Sequence, residues 1–142
     1  MTEEVIPEIK EFPIMWQVII RATQNLANRA KDGADVRMLW ADTGNAIGFV
    51  VETKKTDLHV IYDREKEMLE VAWRKFRVYD YYGIKKELIF FKTAKQIVKL
   101  DKAQELLKEL YKKIVSNIVE RSDPKEIVQD FYKLYQTLEV KQ

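Results

Sequence analysis

Asp35-Val-Arg-Met-Leu-Trp-Ala-Asp-Thr-Gly-Asn-Ala-Ile-Gly-Phe-Val-Val-Glu52 is the stretch on which the fold turns. Its middle, Asp42-Thr-Gly-Asn45, is turn chemistry, because Asp, Gly and Asn tolerate the positive φ that a tight hairpin needs. On either side lie two short runs, Asp35 to Ala41 and Ala46 to Glu52. In the second, Ile47, Phe49 and Val51 share one face of an extended chain. A strand-turn-strand unit is expected. Thr53 to Asp57 turns again, and Leu58 to Tyr62 follows as a third strand with Leu58, Val60 and Tyr62 alternating.

Upstream, Pro13 suits the first turn of a helix. Trp16, Ile19, Ile20, Thr23, Ala27 and Ala30 then keep helical spacing up to a stop at Gly33, which predicts a helix over 13–32. Downstream, 64–82 reads as a central helix that opens with acids and closes at Gly83. Its stripe is Leu69, Ala72, Trp73, Phe76 and Tyr79, although Phe76 to Tyr82 also has the residue types of a strand. Glu87 to Lys92 and Lys95 to Leu100 read as two further strands. Two helices end the chain. Asp101 with Gln104 forms a capping pair for the first, and Asp123-Pro124-Lys125-Glu126 opens the second. Residues 1–12 form a flexible arm, and 13–142 form a single α+β domain of order α-βββ-α-ββ-αα, its antiparallel hairpins joined in a mixed sheet, with a C-terminal helical pair at 101–140.

A chain of 142 residues is one domain's worth and buries a core without staples. There are no cysteines, which excludes disulfides, thiolate metal sites and a cysteine nucleophile. The charged fraction of 34% exceeds the usual quarter, and with only 4 Gly and 3 Pro it suits a thermophilic source. Met1-Thr-Glu-Glu4 leads into no apolar segment and no run reaches the length of a membrane span, so a cytoplasmic protein without a membrane role is expected. The net charge of +2 is compatible with nucleic acid without demanding it. A single histidine, His59, makes a zinc site or a serine triad improbable, and no phosphate-binding glycine motif is present.

The hairpin carries the sharpest chemical signal. Asp35 begins one strand and Glu52 ends its partner, so antiparallel pairing brings the two carboxylates to one end. Lys54 has the parity of Glu52 and is expected on the same face. Two carboxylates suit Mg²⁺ or Mn²⁺, a hard cation that orients a water and stabilises charge on a phosphodiester, and Lys54 supports the transition state.

Ala34-Asp35, followed by the strand-turn-strand and Glu52-Thr53-Lys54, resembles the PD-(D/E)xK nuclease superfamily, and within it the archaeal Holliday-junction resolvases. The resemblance covers roughly residues 13–100 and counts the short third strand, the helix 64–82 and the apolar strand after it. It implies Asp35 and Glu52 as metal ligands, Lys54 as catalytic lysine and DNA as substrate.

Basic and aromatic residues also interleave. Arg37, Trp40, Lys54, Lys55, Arg74 and Arg77 are candidate nucleic-acid contacts, in the manner of surfaces that stack bases and hold phosphates. A non-catalytic single-stranded-DNA-binding protein, similar to thermophilic archaeal proteins that work without an OB-fold, is the alternative to the nuclease. A third reading is an interaction module. Leu106, Leu107, Leu110, Ile114, Val115 and Ile118 make a stripe wider than one sheet needs, which predicts a homodimer through the C-terminal helices.

Overall fold

The computed structural model describes residues 5–80 and 84–139. The order is a 3-10 turn (Ile9–Glu11), α1 (Ile14–Lys31), β1 (Arg37–Asp42), β2 (Ala46–Glu52), β3 (Thr56–Asp63), β4 (Met68–Asp80), β5 (Ile84–Ile97), α2 (Leu100–Val119) and α3 (Pro124–Glu139). The five strands form one sheet in chain order, and every neighbouring pair is antiparallel. The α+β class holds. The sheet is a meander rather than a mixed one, since each strand hydrogen-bonds to the next.

α1 ends as its sequence requires. Gly33 has φ +91°, the Gly33 amide donates to the Ala30 carbonyl at 3.1 Å, and the Ala34 amide donates to the Arg29 carbonyl at 2.9 Å. These two bonds close the last turn in a Schellman motif. Gly44 takes φ +85° in the β1–β2 turn, where its amide donates to Asp42 Oδ1 at 3.1 Å. Asp123 caps α3 by accepting from the Lys125 amide at 2.9 Å. The cap expected from Asp101 and Gln104 is overturned: α2 begins at Leu100 with Lys99 at its N-cap and no side-chain cap bond, and Asp101 lies within its first turn. The arm is tied down from within: Phe12 is buried, edge-on to Tyr132 and Tyr135.

The central helix expected over 64–82 is overturned as far as residue 80; 81–83 lie outside the described residues. Asp63 Oδ1 accepts from the amides of Glu65 and Lys66 at 3.0 and 3.1 Å, which makes a turn, and 68–80 is strand β4. The apolar residues fit both periods. Leu69, Ala72, Trp73 and Phe76 have helical spacing, while Leu69, Val71 and Trp73 alternate. Pairing decides between them. Leu69, Val71 and Trp73 lie opposite Tyr62, Val60 and Leu58, and all six are buried. Cross-strand burial of this kind outweighs local propensity. The two strands expected at 87–92 and 95–100 are likewise one, β5, whose register shifts opposite Lys75 and Phe76.

All three helices lie on one face of the sheet. Ile47, Phe49, Val51, Leu58, Val60 and Tyr62 supply its core side, and none exceeds 5% exposure. Trp16, Ile19, Leu107, Leu110, Ile114, Ile127 and Phe131 come from the helices to meet them. Leu107, Leu110, Ile114 and Ile118 of the broad α2 stripe are therefore used inside the protomer. The stripe is wide because α2 contacts the sheet, α1 and α3 together.

Candidate nucleic-acid interface

β4 and β5 contain 13 and 14 residues, against 6 to 8 for β1, β2 and β3, so their hairpin runs past the body of the sheet. α1 crosses the helix-bearing side of this hairpin and leaves a cleft of about 350 Å³. Alternation sets its floor. Trp73 pairs with Lys92 and Lys75 with Phe90, so all four face α1. α1 supplies Val18, Arg21, Gln24, Asn25 and Asn28, one helical stripe.

Three cations, two aromatic rings and three side-chain amides thus line the cleft, with no carboxylate among them. Trp73 is buried as the floor, Phe90 is 44% exposed, and Lys75 Nζ lies 5.6 Å from the centre of the Phe90 ring. Asn25 Oδ1 accepts from Arg29 Nε at 2.9 Å, and Gln24 Nε2 donates to the Pro124 carbonyl at 3.1 Å. These bonds orient both amides. Arg21 also borders a second concavity with Lys10 and Lys125, which extends the basic track along α1. Lys10 there is paired with Glu8 at 3.2 Å.

The residues singled out from the sequence go elsewhere. Arg37, Lys54, Lys55 and Arg74 gather at the end of the sheet where β2 turns into β3, since Arg37–Glu52 and Asp57–Arg74 are neighbouring cross-strand pairs there. Two of these cations are already answered. Arg37 is 3.8 Å from Glu52 Oε1, and Arg74 holds Asp57 through Nε at 2.8 Å and Nη2 at 3.0 Å. Arg74 Nη2 also donates to His59 Nε2 at 2.7 Å, which requires that nitrogen to be unprotonated. Arg77 lies 3.9 Å from Glu87. Trp40 is on the helix side, stacked on Phe49 at 6.2 Å and tilted against Tyr111 at 5.5 Å.

Asp35 precedes β1 and lines a concavity with Arg29, Asp32, Thr53, Lys54 and Lys55. Asp35 and Lys54 thus border one concavity. Glu52 is not among the lining residues and answers Arg37 instead. Among the described residues no group of three or more His, Asp and Glu side chains is arranged around a common metal position.

Arg21, Phe90 and Lys92 were not singled out in the sequence. The signal for the cleft lay in Trp73-Arg74-Lys75-Phe76-Arg77, whose alternation as a strand places Trp73 and Lys75 on one side and Arg74 and Phe76 on the other. The helical reading merges the two sides. The sequence matches no protein-family model, and comparison with curated proteins and with solved structures returns no significant match. Among the described residues no helix is long and apolar enough to cross a membrane.

Proposed function

We propose that this chain binds single-stranded nucleic acid without cleaving it, in the cleft between α1 and the β4–β5 hairpin. The observation that carries the reading is the lining itself: Arg21, Lys75 and Lys92 around Phe90 and Trp73, with no acid among them. A phosphodiester backbone needs uncompensated cations, and a base needs an accessible ring to stack on. Phe90 offers that ring, and Asn28 at the cleft wall offers donors and acceptors to a base edge. DNA is the favoured partner.

Fluorescence anisotropy with labelled oligonucleotides tests this at two salt concentrations. Binding to single-stranded DNA should weaken as salt rises, and Phe90→Ala should weaken it by about 5-fold to 150-fold, the range of one lost base stack. RNA and duplex arms read the preference. Undetectable binding at low salt, or binding indifferent to Phe90→Ala and Lys75→Ala, defeats the reading.

A second reading, metal-dependent phosphodiester hydrolysis at Asp35, Glu52 and Lys54, is supported by one observation: Asp35 and Lys54 border the same concavity. A Mg²⁺ or Mn²⁺ ion held by Asp35 and Glu52 would supply an activated water, and Arg37 would have to release Glu52 for it. Divalent ion should then raise the melting temperature, and Asp35→Asn should abolish both the rise and any cleavage. No melting shift and no cleavage eliminates it.

A further inference from the structure

Where α1, the start of α2 and the end of α3 meet the end of β5, the structure leaves a cavity of about 280 Å³. Its walls are Met15, Trp16 and Ile19 of α1, Leu106 and Leu110 of α2, and Leu138 of α3. Helical spacing brings them there: 15, 16 and 19 share one face of α1, and 106 and 110 are one turn apart on α2. Trp16, Ile19 and Leu110 are at most 2% exposed, so the inner end lies deep in the core. A cavity so lined takes up small apolar groups in preference to water. Small-molecule sites run from roughly 300 Å³ upward, so a guest here must be compact.

The mouth has a different chemistry. Asp101, Lys102 and Glu105 of α2 border it with Gln96 of β5. Among the described residues, none of these four side chains makes a hydrogen bond or an ion pair. Asp101 and Glu105 are one turn apart, a spacing at which like charges repel. Lys102 continues the stripe of Leu106 and Leu110. Both signs of charge therefore stand over an apolar pit. A fatty acid would leave the two carboxylates unanswered, an amine would leave Lys102 unanswered, and a hydrocarbon would meet neither. A zwitterion with an apolar tail answers both.

We propose that this cavity binds a free α-amino acid with an apolar side chain the size of leucine or phenylalanine. The ammonium lies between Asp101 and Glu105, the carboxylate meets Lys102, and the side chain fills the pit. The Gln96 amide can donate to the carboxylate or accept from the ammonium. Met15, Trp16 and Ile19 lie on a different face of α1 from Val18, Arg21, Asn25 and Asn28. The site is thus separate from the nucleic-acid cleft, and the proposal is independent of that reading.

Titration of the isotope-labelled full chain with leucine and phenylalanine, followed by nuclear magnetic resonance at the backbone amides and the Trp16 indole, tests it. Three relatives divide the contacts: glycine lacks the tail, leucinamide the carboxylate and isocaproate the ammonium. Leucine should saturate at a concentration on the order of 1 mM or below. Glycine should bind at least roughly tenfold more weakly, the effect of one buried leucine side chain. Lys102→Gln should weaken leucine by about 2-fold to 5-fold and leave leucinamide unchanged. Asp101→Asn with Glu105→Gln should weaken leucine and leucinamide alike, each at least roughly threefold. All three positions are at least partly exposed, so circular dichroism and melting of the free variants should match the parent. No saturable shift with either amino acid overturns the proposal. So does glycine or isocaproate binding as tightly as leucine, or leucine affinity indifferent to the paired acid variant.

Discussion

Asp57 and Arg74 are directly opposite one another on β3 and β4, and the arginine grips the carboxylate with two parallel bonds of 2.8 and 3.0 Å. Asp57 is nearly buried, and Arg74 is two-thirds covered. The pair fixes the end of the sheet where β2 turns into β3, and it takes out of circulation a cation that the sequence offered to phosphate.

Breaking that pair should cost stability rather than binding. Arg74→Ala leaves Asp57 with a desolvated charge and should cost about 2 kcal/mol in denaturant unfolding. Arg74→Lys should recover only part of this, because an ammonium cannot make the two-pronged contact. Affinity for single-stranded DNA should change little in either variant.

The cleft cations should behave in the opposite way. Lys75→Ala and Lys92→Ala, each at a partly exposed position, should leave melting nearly unchanged. Each should reduce the slope of log affinity against log salt by about 1 for a single strand or slightly less. Titrations at four salt concentrations read that slope.

Asn117 should be a stability defect. It is 1% exposed, and neither atom of its amide has a hydrogen-bond partner among the described residues. Asn117→Leu, similar in size, removes the unmet polar group and should stabilise the fold by about 1–2 kcal/mol. Chemical denaturation measures it. A loss of stability would show that the amide is satisfied in solution.

Asp42 should give stability a dependence on acid. The Arg64 guanidinium hydrogen-bonds its carboxylate, with the Gly44 amide adding to it, and holds the pKa at about 2 against an ordinary 3.8. A carboxyl depressed in the folded state contributes stability above its unfolded pKa and loses it as pH falls through the folded one. The melting advantage over Asp42→Asn should therefore be constant above about pH 5, shrink below about pH 4 and be mostly lost by about pH 2. Thermal melts of both proteins from pH 7 to pH 2 follow it.

Gly48 should tolerate no side chain. A Cβ there would meet the Val60 carbonyl oxygen at 2.1 Å and Ile61 Cα at 2.8 Å, both backbone atoms that cannot step aside. Gly48→Ala should cost about 2–3 kcal/mol through local parting of β2 and β3. An unchanged denaturation midpoint would contradict the close approach of the two strands.

The chain's own residues determined its local pieces. Pro13 and Gly33 bracket α1, Asp42-Thr-Gly-Asn45 makes the first turn, and Asp123-Pro124 starts α3. Each works through φ preferences and nearby amides within a few residues, so each can be read in order. Residues 64–82 cannot. Leu69, Ala72, Trp73 and Phe76 keep helical spacing while Leu69, Val71 and Trp73 alternate, and only burial of the latter three against β3 and the helices selects the strand. That choice divides Trp73 and Lys75 from Arg74 and Phe76 and places Phe90 and Lys92 beside the first pair. It thereby creates the basic cleft. Tertiary structure decided this because a surface is assembled from strands and helices distant in sequence, and no local preference encodes which side of a strand meets solvent.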